Sequence, residues 1–250
     1  MTGLYEALSL GSRELVCLVG AGGKTSLLRR LAMEDPPDSA RLLVTTSTKM
    51  LRSELESCGS LVLEPDGSVL LRALAVRDAP VISAARALTP DGKAAGLSVG
   101  VLDRIYDSGC FRHILVEADG ARGRDLKAPG AGEPLIPCST TIVLSLVGLG
   151  ALDHPISEIR VHRPEEVASV AKQEVGSLIT GETFLRVLER YRVLTTRIAP
   201  RMTFVPVINQ ADTPQRLELA VELADRMRSS FDLVVITAAR QHDCVRQVLR

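Results

Sequence analysis

Short apolar runs alternate with segments of helical periodicity along most of the chain. Several runs are apolar on both faces, which is typical of parallel strands buried between helices. We predict strands over residues 15–19, 41–46, 80–84, 114–117, 141–147, 203–208 and 233–237, and helices over residues 24–33, 49–58, 99–108, 164–174, 183–191 and 214–229. The turn-forming residues 89–93 favour a hairpin. This alternation predicts a doubly wound α/β sheet with ligands at the carboxyl ends of its strands.

A glycine cluster separates the first predicted strand from the first predicted helix. Residues 18–26 have the sequence L-V-G-A-G-G-K-T-S. Glycines permit backbone angles that let successive N–H groups converge on one anion, and the start of a helix adds unpaired N–H groups. We predict a phosphate loop in which a solvent-facing Lys24 reaches the terminal phosphates and Thr25 ligates Mg²⁺. The predicted ligands of a nucleoside triphosphate, GTP or ATP, are Gly20, Ala21, Gly22, Gly23, Lys24, Thr25 and Ser26.

The loop departs from the usual phosphate-loop spacing. The pattern GxxxxGK[ST] needs a glycine six residues before the lysine, where this chain has Leu18. The shorter loop that remains resembles that of Mur-type ligases. The alternative is a glycine-rich turn with a solvated lysine, but strand, glycines, Lys-Thr and helix follow the order that phosphate binding requires. We therefore predict a P-loop NTPase-like doubly wound, mostly parallel sheet with helices on both faces, as one domain over residues 1–250.

Composition excludes several classes of function. The chain has 30 Lys and Arg residues against 30 Asp and Glu residues, no Trp and only 3% aromatic residues, so it offers neither the charge nor the stacking surfaces for nucleic acid. Its five cysteines are scattered, which is typical of a reduced protein rather than a disulfide framework or a zinc site. The first residues lack the features of a signal peptide, and the apolar runs are too short to span a membrane. We expect a cytoplasmic protein without a membrane partner.

A second candidate site is the acidic end of the strand over residues 114–117. Glu117 and Asp119 follow an apolar run, and side chains two residues apart in a strand share one face. A carboxylate at such a strand end can hold Mg²⁺ beside a triphosphate. We predict that Lys24, Glu117 and Asp119 are catalytic and that Thr25, Glu117 and Asp119 hold the metal. Alternatively, the acidic pair simply ends a strand in solvent.

A third candidate is the segment N-Q-A-D over residues 209–212, which follows a late strand. It resembles the N-K-x-D guanine-recognition motif of GTP-binding proteins, with Gln210 in place of the lysine. A carboxylate at Asp212 can accept hydrogen bonds from both guanine N–H groups, whereas adenine lacks that pair of donors. Asn209 and Asp212 are therefore predicted to contact the nucleotide. The alternative, which is compatible with the first, is a helix cap ahead of Pro214.

Three further segments point to a family. They are T-T-S-T-K-M at residues 45–50, E-A-D-G-A-R-G-R-D-L-K-A-P at residues 117–129 and H-R-P-E at residues 162–165. Together with the glycine loop and N-Q-A-D, they resemble the YqeC family, whose members are described as accessory proteins of selenium-dependent molybdenum hydroxylases. The family usually has a histidine before its Glu-Pro pair, where this chain has Gly132, and its G-L-D-A-L-G motif is altered at residues 148–153.

The resemblance gives a role to polar residues that composition alone would leave as a solvated surface. Hydroxyls and cations after two strand ends, and a cationic loop, suit a phosphate or another oxyanion. The substrate ligands that the resemblance implies are Thr46, Thr48, Lys49, Arg122, Arg124, Lys127, His162 and Arg163.

These observations favour an Mg²⁺-dependent NTPase or nucleotide-dependent transferase. The resemblance implies that it acts in the maturation of selenium-dependent molybdenum hydroxylases, with a hydroxylase or its cofactor as partner. Two alternatives stay open. One is an ATP-dependent ligase or kinase of a small carboxylate or pterin, and the other is a nucleotide-gated protein that delivers a cofactor or a selenium species.

Overall fold

The computed structural model of the chain describes residues 3–34 and 41–250. It is an α/β protein with a large, mostly parallel sheet flanked by helices. Its strands are β1 (Glu14–Gly20), β2 (Leu42–Thr46), β3 (Lys49–Leu51), β4 (Ser60–Leu63), β5 (Val81–Ala85), β6 (Ala87–Leu88), β7 (Lys93–Ala95), β8 (His113–Glu117), β9 (Leu126–Lys127), β10 (Ile142–Gly148), β11 (Val161–His162), β12 (Thr203–Asn209), β13 (Val234–Thr237) and β14 (Val245–Leu249). Its helices are α1 (Leu4–Ala7), α2 (Lys24–Met33), α3 (Arg52–Glu56), α4 (Gly67–Ala75), α5 (Val99–Asp107), α6 (Pro164–Ala171), α7 (Gly181–Ile198) and α8 (Pro214–Met227).

The main sheet has nine strands in the order β14-β13-β12-β10-β1-β8-β2-β5-β4. Every neighbouring pair is parallel except the edge pair of β13 and β14. β1 lies at the centre, where Val16 pairs with Ile142 of β10 on one side and Leu115 of β8 on the other. The chain continues to both sides of β1, so the crevice beyond its carboxyl end is the place where a doubly wound sheet binds ligands.

Apolar side chains on the two faces of the sheet pack into two separate cores. Leu15, Cys17 and Val19 of β1 face the core that α4 to α8 cover. Val16 and Leu18 face the other core, which is covered by α1, α2 and α3. Burial on both faces explains why these strands are continuous apolar runs, and it confirms the prediction of a parallel sheet between helices.

Two small sheets accompany the main one. Strands β6 and β7 form the predicted hairpin over residues 89–93, and β3 pairs with β7 in an antiparallel sheet of three strands. The prediction of one helix over residues 49–58 is therefore wrong, because Lys49–Leu51 joins this sheet and only Arg52–Glu56 is helical. The other small sheet pairs β9 with β11, so that Lys127 lies beside His162.

Several other elements were not predicted from the local sequence patterns. Strand β4, helix α4 and the edge strand β14 were missed, and α7 is longer than predicted at both ends. The remaining predicted strands are present with small shifts at their ends. None of the helices within the described ranges has the length and apolar character needed to cross a bilayer.

Candidate functional site

The glycine loop is forced into its shape by its neighbours. Gly20, Gly22 and Gly23 have φ angles of 88°, 82° and 119°, in the left-handed region that favours glycine. A Cβ atom at Gly22 would collide with the backbone of Gly148, and one at Gly23 would collide with the side-chain amide of Asn209. The loop is thus packed against the carboxyl ends of β10 and β12, which only glycine permits.

The loop presents unpaired backbone donors at the start of α2. The first hydrogen bond of this helix runs from the Leu27 N–H to the Gly23 carbonyl, at 3.0 Å. Within residues 3–34 and 41–250, the N–H groups of residues 23 to 26 donate to no other group. Gly23 to Ser26 also line a cleft, so these four donors are available to an anion. Ala21 lines the same cleft, but its N–H donates to the Leu146 carbonyl.

Lys24 is buried, and the expectation of a solvent-facing lysine is wrong. Only 4% of the residue is exposed. Its Nζ donates to the Gly20 carbonyl at 2.6 Å and lies 3.1 Å from Oδ1 of Asp119. Burial by itself lowers the pKa of Lys24, but the carboxylates of Asp119 and Glu117 more than offset that effect and keep the lysine charged. Lys24 is thus held in a buried ion pair with Asp119 at the base of the loop.

Asp119 serves this lysine rather than the cleft surface. Its carboxylate is fully buried and accepts hydrogen bonds from the Tyr191 hydroxyl at 2.7 Å and the Gly20 N–H at 3.1 Å. Lys127 lies 3.2 Å from the same oxygen, Oδ2. Burial raises the pKa of Asp119, but Lys24 and Lys127 outweigh it, so that the pKa lies below its ordinary value. Asp119 is therefore an ionised structural anchor behind the loop.

Glu117 occupies the position at the cleft. β8 ends at this residue, whose Oε2 accepts a hydrogen bond of 2.8 Å from Oγ1 of Thr25. The Thr46 hydroxyl fixes its backbone by donating to the Glu117 carbonyl at 2.8 Å. Burial raises the pKa of Glu117, with Lys24 acting in the opposite direction. The described residues contain no group of three His, Cys, Asp or Glu that could hold a metal by itself. A divalent cation here needs additional oxygens from a ligand.

A second carboxylate extends the buried ion pairs away from the loop. Oε2 of Glu133 lies 2.8 Å from Nζ of Lys127 and 2.9 Å from Nη1 of Arg163. Lys127 is fully buried and also donates to the Gly120 carbonyl at 2.7 Å. Lys127 was expected to be a substrate ligand in a cationic loop, but it does not line the cleft and its charge is held between Asp119 and Glu133.

Asn209 joins the glycine loop to two strand ends at the other side of the site. Its Nδ2 donates to the Gly22 carbonyl at 2.7 Å. Its Oδ1 accepts from the Thr237 hydroxyl at 2.9 Å and from the Ala239 N–H at 3.0 Å. All three groups are buried, so Asn209 holds the loop in place rather than pointing freely into the cleft.

The neighbouring residues of N-Q-A-D have separate roles. Gln210 has a φ of 72°, donates to Oδ1 of Asp125 and accepts from the Gly150 N–H, each at 2.7 Å. The Asp212 side chain is 35% exposed, lines the cleft and lies 3.7 Å from Nη1 of Arg216. Thr213, and not Asp212, caps α8 by accepting from the Arg216 N–H. The carboxylate of Asp212 is therefore available to a ligand.

All of these groups meet in one cleft of about 1280 Å³ at the carboxyl ends of the strands. Nine Lys and Arg residues but only six Asp and Glu residues line it, although the whole chain has no formal net charge. Of the predicted substrate ligands, the residues that line the cleft are Thr48, Lys49, Arg122, Arg124, His162 and Arg163. Thr46 and Lys127 do not line the cleft. They contact residues that do, since Thr46 donates to the Glu117 carbonyl and Lys127 pairs with Glu133.

Sequence reasoning missed the residues that complete the buried network. Tyr191 lies in the middle of α7, 72 residues from its partner Asp119, and no local pattern distinguishes it. Glu133 lies between Gly132 and Pro134, in a segment whose sequence gives no sign of a buried ion pair. Gly150 belongs to the altered glycine motif, and a Cβ there would collide with the side chains of Gln210 and Asp125.

Comparison with known proteins gives one family. The sequence profile described as "YqeC protein" matches residues 16–165. The chain is also similar to a protein of Escherichia coli (strain K12) described as "Uncharacterized protein YqeC", with 33% identity over 167 residues. That alignment covers 65% of this chain and 64% of the relative, so just under two thirds of the relative is matched. The profile includes the glycine loop, Glu117 and the cationic residues but not Asn209 or Asp212.

Proposed function

The chain belongs to the YqeC family, and from that premise we propose that it is an Mg²⁺-dependent nucleoside triphosphate-binding enzyme, either an NTPase or a nucleotide-dependent transferase. One observation carries the proposal: four unpaired backbone N–H groups at the start of α2 open into a cationic cleft beside Lys24 and Thr25. Backbone donors that converge at the start of a helix, with a lysine and a hydroxyl next to them, are the groups that bind a polyphosphate.

The residues of this chain divide the work between charge and position. The N–H groups of residues 23 to 26 bind phosphate oxygens, and Lys24 leaves Asp119 to pair with them. Thr25 and Glu117 fit a hard divalent cation, because Mg²⁺ in nucleotide sites takes one or two protein oxygens together with phosphate oxygens. Mg²⁺ bound there would neutralise charge on the phosphates. Asp119 keeps Lys24 charged at the base of the loop.

The base end supports a guanine nucleotide. Asn209 ties the glycine loop to β13, so that the residues after β12 are held at a fixed distance from the phosphate site. Asp212 lines the cleft at that end with an accessible carboxylate. A carboxylate accepts from both N–H groups of guanine, and adenine cannot supply this pair. We therefore propose GTP ahead of ATP.

The volume of the cleft favours a transferase over a simple hydrolase. Pockets for one small molecule usually have volumes of about 300–1000 Å³, and this cleft is larger. A ligase or kinase of a small anionic substrate is the second candidate for that reason. The proposed pathway, maturation of a selenium-dependent molybdenum hydroxylase in the cytoplasm, rests on the family resemblance.

The test is product analysis with the purified protein. ATP, GTP and CTP are each incubated with Mg²⁺ and protein, with and without a molybdenum hydroxylase, and the products are separated by chromatography. We expect GTP turnover, which EDTA abolishes and which a Lys24→Met variant lacks. Turnover only with the hydroxylase present would favour delivery of a cofactor. Failure of the folded protein to bind any triphosphate in calorimetry would refute the proposal.

A further inference from the structure

We propose that Arg122, His162 and Arg163 form a second anion-binding site in the cleft, which takes the phosphate or carboxylate group of a small substrate. We call these three residues the cationic wall. The placement of that substrate beside the nucleotide rests on the proposed function, but the anion site itself rests on the charges and contacts of the wall.

The cationic wall and the residues that contact it carry a surplus of positive charge. Lys24, Lys127 and Arg163 are already matched by carboxylates. Lys24 and Lys127 both pair with Asp119, Lys127 and Arg163 both pair with Glu133, and Glu117 also acts on Lys24. Arg122 adds a fourth positive charge, and it has no hydrogen-bond or ion-pair partner among residues 3–34 and 41–250. An unpaired cation that lines a concave site is stabilised when an anion binds beside it.

Two residues of the wall have an unusual backbone conformation. Arg122 and Arg163 have φ angles of 50° and 58°, in the left-handed region that residues other than glycine rarely adopt. Both line the cleft. Arg122 lies in a turn that the Arg124 N–H closes by donating to the Ala121 carbonyl at 3.0 Å, and Arg163 is the residue that precedes α6. Gly130 is part of that support, because a Cβ on it would collide with the Arg163 guanidinium. Strained residues that the surrounding structure holds in place are typical of binding sites.

The imidazole of His162 is held in its neutral form by its surroundings. Burial lowers its pKa, and the charges of Lys127, Arg163 and Arg122 lower it further, so the imidazole is neutral at neutral pH. Neither ring nitrogen has a hydrogen-bond partner within the described part of the chain. A neutral imidazole offers one donor and one acceptor, and it accepts a proton when an anion reduces the local positive charge.

Buried ion pairs connect the wall to the phosphate loop. A continuous series of ion pairs runs from Arg163 through Glu133, Lys127 and Asp119 to Lys24, with N–O distances of 2.9, 2.8, 3.2 and 3.1 Å. The base end of the cleft, at Asp212, lies outside this series. A substrate held by the wall would therefore lie on the phosphate-loop side of the cleft rather than at its base end.

The experiment is calorimetric titration of protein that is saturated with Mg²⁺ and the non-hydrolysable β,γ-imido analogue of GTP. Inorganic phosphate is the probe in one arm and malonate in the other, so the phosphate loop is occupied and only a second site can bind. We expect binding of at least one probe in the original chain. Arg122→Gln should weaken that binding by about tenfold or more, because a charge-assisted hydrogen bond is lost, and it should weaken nucleotide binding much less.

The control variant is Arg201→Gln, which removes the same charge from an exposed arginine outside the cleft. Selective binding of phosphate or of malonate would identify the substrate class, and either supports the site. Absence of binding for both probes, or equal weakening by Arg122→Gln and Arg201→Gln, would overturn it. The Lys24→Met variant without nucleotide separates the two proposals: binding there that depends on Arg122 supports the wall even if no nucleotide binds to the original chain.

Discussion

At the scale of single residues, Glu117 and Asp119 show how position decides the role of a carboxylate. Both are buried, but Asp119 contacts two lysines whereas Glu117 accepts one hydrogen bond from a threonine. The pKa of Asp119 is therefore held below its ordinary value and that of Glu117 is raised by burial. The charge of Asp119 is matched by two lysines within the protein. Burial disfavours the ionised form of Glu117, and a bound cation would stabilise that form.

Glu117→Gln should stabilise the nucleotide-free protein at neutral pH. Because the folded pKa of Glu117 is raised, its contribution to stability is full below the unfolded value of 4.5 and is lost as the pH rises through the folded value. The variant carries no such loss, so its advantage in urea unfolding should be present at pH 7 and absent below pH 4.5. An advantage that is the same at every pH would contradict this account. Glu6→Gln, at an exposed position, is the control.

Asp212→Asn should change the base preference from guanine towards xanthine. An amide offers one donor and one acceptor, so it loses one guanine N–H partner and gains a partner in the C2 carbonyl of xanthosine triphosphate. We expect GTP affinity to fall by about tenfold or more, in line with the roughly 1.5–3 kcal/mol of a hydrogen bond to a charged group. Competition binding measures it. Asp225→Asn is the matched control, because Asp225 on α8 also pairs with an arginine, Arg228, but lies outside the cleft. Equal effects of the two variants would refute the role of Asp212.

At the scale of elements, Asn209 is the joint between the glycine loop, β12 and β13. Asn209→Ala removes three buried hydrogen bonds of 2.7, 2.9 and 3.0 Å. We expect a loss of about 2–4 kcal/mol in the free energy of unfolding, together with weaker nucleotide binding. Thr237→Val keeps the shape and removes one of these bonds, so its loss should be about 1 kcal/mol. Chemical denaturation compares the two variants, and equal losses would show that the bonds to the loop and to Ala239 contribute nothing.

At the scale of the whole molecule, the site joins strand ends from both halves of the sheet. β8 and β2 lie on one side of β1, and β10 and β12 lie on the other. A nucleotide that binds there stabilises only the folded state. At one hundred times its dissociation constant it adds about 2.7 kcal/mol, which for a chain of this length raises the melting temperature by roughly 5–10 °C. Scanning calorimetry should show this shift with Mg²⁺ and GTP and no shift in the Lys24→Met variant. A shift of equal size in that variant would place the nucleotide elsewhere.

The sequence by itself determined the parts of this protein that depend on local chemistry. Apolar runs such as residues 15–19 identify strands that are buried on both faces, and glycines before Lys24 identify a loop that approaches other backbone closely. Because these signals come from neighbours along the chain, they were correct for the central sheet and for the close approach of the glycine loop to other backbone. They failed at Lys49–Leu51, where pairing with β7 overrides the helical pattern.

The tertiary structure alone decided which charges meet. Lys24 was expected in solvent but is buried on Asp119, and Lys127 is buried between two carboxylates. The partners Tyr191 and Glu133 come from distant segments and have no local signature. An ion pair forms wherever the fold brings two strand ends or loops within a few ångströms, and burial then sets its strength. Both quantities are properties of the packed molecule, so no pattern along the chain contains them.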